Sequence, residues 1–95
     1  MNIQHKQTDS GGKFFLADEN GIEIAELTYL FIDANTINAN HTYVSEILRG
    51  QGIADKLYQA LVSFIREKNL TLIPTCHYIA KKWERENNQN PAKYG

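Results

Sequence analysis

The chain has 95 residues, 42% of them hydrophobic, and a net charge of −1. That length fits one domain, residues 1–95, with a core of modest size. The near-neutral charge argues against nucleic-acid or anionic-membrane binding, and no stretch is apolar for the roughly 20 residues of a membrane span. Residues 1–10 are polar and do not read as a secretory signal. The single cysteine, Cys76, leaves no internal disulfide and suits a reducing cytoplasm, the expected location. His5, His41 and His77 are scattered without zinc-ligand spacing, so no metal site is expected.

In chain order, residues 1–12 are polar and end in Gly11-Gly12, which reads as a loose start. Residues 13–17 contain Phe14-Phe15-Leu16, a run of strand length, and Asp18-Glu19-Asn20-Gly21 is a turn. Residues 22–31 alternate at first and then become apolar on both faces, as in a strand covered on two sides at its far end. After a turn at Asp33-Ala34-Asn35, residues 36–44 read as a third strand. Period-two counting puts Ile37, Ala39, His41 and Tyr43 on one face, with Thr42 and Val44 on the other. Three strands joined by short turns give an antiparallel meander.

Residues 52–68 carry helical spacing. Ile53, Leu57, Leu61, Phe64 and Ile65 share one face, while Asp55, Gln59, Ser63, Arg66 and Glu67 share the other. Asn69 stops the helix. Residues 70–73 form a short strand ended by Pro74, and the crossover makes it parallel to residues 36–44. A second helix covers residues 77–86, with Tyr78, Ile79 and Trp83 as apolar contacts. Residues 87–95 are polar, contain Pro91 and read as flexible.

The most informative segment is Arg49-Gly50-Gln51-Gly52-Ile53-Ala54, between the third strand and the long helix. Glycines let a loop backbone approach a ligand closely. The helix after it points unpaired N–H groups and its positive dipole end at that loop. This is a cradle for a pyrophosphate; the alternative is an ordinary strand-to-helix turn.

Arg49, Gly52 and Ala54 fill the pattern Gln/Arg-x-x-Gly-x-Gly/Ala. In that setting, residues 22–86 resemble the GNAT superfamily of acetyl-CoA-dependent N-acetyltransferases, whose coenzyme A signature this is. The resemblance implies an α/β (α+β) GNAT-like acyl-CoA N-acyltransferase fold: a curved, mostly antiparallel sheet with one parallel crossover. Against a standard member the chain is truncated at both the N-terminal helices and the C-terminal strands. It looks like a short, minimal subfamily with Pro74-Thr75-Cys76 after the last strand.

Acetyl-CoA is then the implied cofactor, and an unidentified amine the acceptor. By resemblance, the backbone at Ile47 and Leu48 meets the pantetheine arm as a strand end. Arg49, Gly50, Gln51, Gly52, Ile53 and Ala54 hold the pyrophosphate. Lys81, Lys82 and Lys56 are candidates for the 3′-phosphate or are simply solvated. Cys76 falls near the thioester, as nucleophile or as a small buried hydrophobe. His41 is a candidate base or a half-buried polar residue. Tyr78 is a candidate acid to the leaving thiolate or a core aromatic. Acetyl transfer to an amine is the expected function; acetyl-CoA binding without turnover and a protein-interaction module are the alternatives. A monomer or weak homodimer is expected.

Overall fold

The computed structural model describes residues 2–88. Five strands form one sheet in the order β1-β2-β3-β4-β5: β1 (Gln4–Gln7), β2 (Gly11–Ala17), β3 (Glu23–Asp33), β4 (Thr36–Val44) and β5 (Thr71–Pro74). The first four are antiparallel, and β5 pairs parallel to β4. The crossover between β4 and β5 is helix α1 (Ile53–Lys68), and α2 (His77–Asn88) comes after β5. The sheet is therefore mostly antiparallel with one parallel pair, as the crossover requires.

The start of the chain corrects the sequence reading. Residues 4–7 are a strand on the sheet edge, and Gly11 and Gly12 open β2. The tie is one side chain rather than an apolar pattern. The His5 ring stacks on Phe14 at 4.2 Å, meets Phe64 edge-on at 4.8 Å and bonds through Nε2 to the buried Tyr29 hydroxyl at 2.7 Å. Gly12 is needed for close approach: a Cβ there would lie 2.5 Å from Tyr29 Oη and 2.6 Å from the Lys6 carbonyl. The expected flexible tail falls mostly outside the described residues, though α2 includes Asn87 and Asn88.

Gly21, at φ 80°, completes the turn into β3. The Asp18 carboxylate accepts the Asn20 and Ile22 N–H groups there (2.9 and 3.0 Å). β3 starts and ends slightly later than its apolar run, because Ile22 remains 60% exposed in that turn.

One face of the sheet supplies Phe14, Leu16, Leu27, Tyr29, Ile37 and Ala39 to the core. The stripe read from α1 meets them: Ile53, Leu57, Leu61, Phe64 and Ile65 are all buried, with Tyr58 and Val62 beside them. Each large aliphatic side chain sealed in this way contributes about 1.5–3 kcal/mol. Asn69 ends α1 in the left-handed region at φ 56°, and its N–H bonds back to the Arg66 carbonyl. Ile79 anchors α2 in the same core, with Tyr78 and Trp83 packed around it.

Two local departures from regular structure redirect the chain along and beyond β4. The β3–β4 register slips between Thr28 and Tyr29: Thr28 faces His41, Tyr29 faces Ala39, and Asn40 is left over. That is a β-bulge, and it shifts the side-chain parity downstream. The shared face expected for Ile37, Ala39, His41 and Tyr43 is therefore corrected. Ile37 and Ala39 point to the core, whereas His41 and Tyr43 are exposed. Second, β4 stops at Val44 and the chain turns through a short 3-10 helix, Glu46–Leu48. Ile47 and Leu48 are on that turn and not on a strand end. Burial of Leu48 at 4% exposure pulls the chain inward, while Ile47 is left 74% exposed.

Candidate functional site

The site begins where two parallel strands separate. β4 and β5 are paired from Thr36 and Thr71 as far as Ala39 and Pro74. Past that point the Ala39 carbonyl accepts both the Thr75 and Cys76 N–H groups, at 3.0 and 3.1 Å. The chain then turns into α2, while β4 continues five residues further, bonded only to β3. Proline at 74 has no N–H to extend the ladder. The two backbones thus part after Ala39, and beyond that point the side chains of Thr42 and Cys76 meet.

Cys76 stands at the entrance of α2; its carbonyl accepts the Ala80 N–H at 2.9 Å. Its Sγ lies 3.1 Å from Thr42 Oγ1. Burial pushes the thiol up. The Thr42 hydroxyl and the backbone N–H groups of Ile79 and Tyr78 outweigh that, and the net shift is downward. A helix N-terminus with a hydroxyl donor is an environment that favours thiolate. Thr42 reaches Cys76 because of the bulge at Asn40. The same bulge sends His41 to the opposite face, where its Nε2 lies 3.4 Å from Glu26 Oε2. His41 and Cys76 are thus not in contact with each other.

The second part is the glycine loop. Gly50 and Gly52 take φ values of 83° and 72°, the left-handed region that other residues enter at a cost. Gly52 is the N-cap of α1 and has no side chain to satisfy the helix. The first-turn N–H groups of Ile53, Ala54 and Asp55 find no acceptor among the described residues. A Cβ built on Gly50 or Gly52 meets nothing within 4 Å, so the glycines are not required by packing. Gln51 steadies the loop by donating its side-chain amide to the Ile47 carbonyl at 3.3 Å.

A groove of about 270 Å³ runs along this loop, lined by Val44, Leu48, Arg49, Gly50, Gly52, Ile53, Ala54, Asp55 and Tyr78. Tyr78 comes from α2 and so connects the loop to the helix that begins beside Cys76. The structure brings Tyr78 together with Leu48, Arg49, Gly50, Gly52, Ile53 and Ala54 in this groove; Cys76 pairs with Thr42, and Ile47 lines a separate hollow with residues 17–20. Lys81 is exposed on α2. Lys82 is paired with Asp55 of α1 and sits over the Tyr58 and Tyr78 rings at 5.4 and 5.6 Å. Sequence reasoning gave Thr42 only a place on the second face of the third strand and set Asp55 among the polar residues of the helix. A signal for Thr42 was the Asn40-His41 doublet, two polar residues where the strand alternation allows one.

Residues 13–92 match the family model for the GCN5-related N-acetyl-transferase. The chain belongs to that family. The solution structure of a GCN5-like putative N-acetyltransferase from Staphylococcus aureus is 42% identical, with a TM-score of 0.67 over 92% of this chain and 83% of that one. Protein NATD1 of Xenopus tropicalis is 38% identical over 63 residues, 66% of this chain and 57% of the relative. The chain thus spans little more than half the length of the curated relatives it matches. A GNAT family acetyltransferase from Elizabethkingia anophelis, solved with acetyl-CoA bound, is 20% identical with a TM-score of 0.58 over 84% of this chain and 53% of that one. That last likeness concerns the fold, which the two GNAT chains share.

Proposed function

We propose that this GNAT chain transfers an acetyl group from acetyl-CoA to an amine. One observation carries the reading. An uncapped helix start and two left-handed glycines line one groove, which Tyr78 of α2, two residues past Cys76, also lines. Three free N–H groups and a helix dipole suit a pyrophosphate. Acetyl-CoA, when bound, supplies the thioester and its transferable acetyl group.

The chain's own residues divide the remaining work. Residues 50–54 hold the pyrophosphate through backbone N–H groups, and Arg49 begins the loop. The amine, approaching from the face of β4 that carries His41 and Glu26, gives its proton to His41 or to water as its nitrogen bonds to the acetyl carbon. Tyr78 gives its phenolic proton to the departing sulfur. The thiolate-favouring bonds to Cys76 support a two-step variant. In it Sγ bonds to the acetyl carbon as the bond to the coenzyme A sulfur breaks, and Tyr78 protonates that sulfur. The amine then displaces Sγ, which leaves as thiolate, and the proton lost by the amine returns to the Tyr78 phenolate.

A second reading, acetyl-CoA binding without turnover, is favoured by one feature. β1 passes to β2 through residues 8–10 and β2 to β3 through a tight hairpin, with no helix between them of the kind that often shapes the acceptor site in this family. Titration calorimetry with acetyl-CoA tests the shared part of the two readings. A screen of amines for release of free coenzyme A separates them. No saturable binding at millimolar acetyl-CoA would overturn both, and binding with no release in any amine would leave the second. Intact mass after exposure to acetyl-CoA, in the wild type and in a deacylation-impaired variant, reports on an acetylated Cys76.

A further inference from the structure

Asp55 sits awkwardly for an anion site. It is the third residue of α1, in the first turn, and it lines the same groove as Gly50 and Gly52. A carboxylate in that turn favours the helix, since it complements the positive end of the dipole. For a bound pyrophosphate it is the wrong charge in the wrong place, competing for the same N–H groups and repelling the ligand. The chain answers this from another element. Lys82 of α2 bonds to Asp55 Oδ1, and its Nζ is bracketed by the rings of Tyr58 and Tyr78. The Lys82 side chain is only 24% exposed, against 49% for Asp55. The hydrogen bond from Lys82 holds the Asp55 carboxyl below its usual range, and the same bond raises Lys82.

We propose that Lys82 is a positioning residue of the anion groove: it neutralises Asp55 and keeps its carboxylate turned from the loop, so that the first turn of α1 is free to receive the pyrophosphate. The proposal rests on the acetyl-CoA reading of this groove. It differs from a direct phosphate contact by Lys82 in one decisive respect. If Lys82 acts through Asp55, removing both charges restores binding; if it touches phosphate itself, removing both does not.

The test is calorimetric titration of acetyl-CoA into the full chain as wild type, Lys82→Gln, Asp55→Asn and the double variant, at low and at high salt. Thermal melts report folding for each, and Lys82→Arg serves as a charge-preserving variant. Lys82→Gln should weaken binding about tenfold at low salt, the size expected for one uncompensated charge near a di-anion at partly solvated range. The loss should shrink at high salt. Asp55→Asn should bind as well as wild type or better. The double variant should return to within about threefold of wild type, a rescue that a merely structural role for Lys82 would not give. Wild-type affinity in Lys82→Gln, or a double variant as weak as Lys82→Gln, overturns the proposal while leaving the groove reading intact. No binding by the wild-type chain overturns both.

Discussion

Gly52 is the residue at which backbone strain and ligand occlusion can be told apart. Its φ of 72° lies in the left-handed region, and a Cβ there would meet no protein atom within 4 Å. Gly52→Ala therefore costs folding stability only through the backbone, about 1–2 kcal/mol for an L-residue held left-handed. Each kcal/mol lowers Tm by about 4–8 °C in a domain of this size. Asparagine tolerates the left-handed region better and can cap a helix, so Gly52→Asn should cost less. The effect on ligand is different. Either Cβ enters the space before the free N–H groups of α1 and displaces a phosphate oxygen from a charge-assisted bond. That forfeits about 1.5–3 kcal/mol, or roughly 10- to 150-fold in Kd. The two variants should thus differ in urea denaturation and agree in their loss of acetyl-CoA affinity. Acetyl-CoA binding at wild-type strength in either variant would refute the assignment of this loop. A loss of affinity that tracked the loss of stability would refute the separation of strain from occlusion.

Other perturbations probe the rest of the chain. Thr42→Val removes the hydroxyl that favours the Cys76 thiolate; the thiol should titrate higher and iodoacetamide alkylation near neutral pH should slow, with Thr42→Ser restoring it. His41→Ala should leave that alkylation profile unchanged, because His41 projects from the other face beside Glu26, while lowering the rate of acetyl transfer. His5→Ala should cost about 1–3 kcal/mol in urea denaturation, since it removes a ring stack and strands the buried Tyr29 hydroxyl. Burial also holds His5 below its ordinary 6.5. The unfolded chain therefore binds that proton first, and stability is full above 6.5 and declines as pH falls through the lower folded value. His5→Phe should flatten that decline in denaturation curves taken across the window.

The helix and the parallel strand were legible because their causes are local. Ile53, Leu57, Leu61, Phe64 and Ile65 repeat at helical spacing, and Asn69 and Pro74 end their elements by their own backbone chemistry. The edge strand was not, because nothing in Gln4-His5-Lys6-Gln7 alternates. Its order comes from one imidazole finding three aromatic rings that are distant in sequence. The glycines before β2 were misread for a related reason. A Gly-Gly pair signals flexibility or close approach, and only the position of Tyr29 decides which. The glycine loop proposed to bind the pyrophosphate could be singled out because its signature lies in six consecutive residues. The Thr42–Cys76 pair and the Asp55–Lys82 pair could not, since their members are 34 and 27 residues apart. In the first case a single extra residue, Asn40, reversed the parity on which the count depended.

Three departures from regular structure converge on the same few residues: the bulge at Asn40, the left-handed Gly50 and Gly52, and the cysteine at the start of α2. Each carries a cost. The bulge leaves a residue out of the β3–β4 ladder. The glycines lose more chain entropy on folding than other residues and give up the capping side chain that α1 would otherwise gain, a cap worth about 1 kcal/mol. The cysteine is partly buried at a helix start that favours its charged form. Packing does not explain the glycines or the bulge, since Gly50, Gly52 and Asn40 are all exposed, whereas Cys76 also packs against the core. Sites at which a chain forgoes stability that its core does not need to lose are sites shaped for something outside the chain. Here they leave free N–H groups on a groove that Tyr78 closes on the α2 side, and a cysteine two residues before that tyrosine, the features on which the proposed binding of a long ligand with an anionic middle and a reactive end rests.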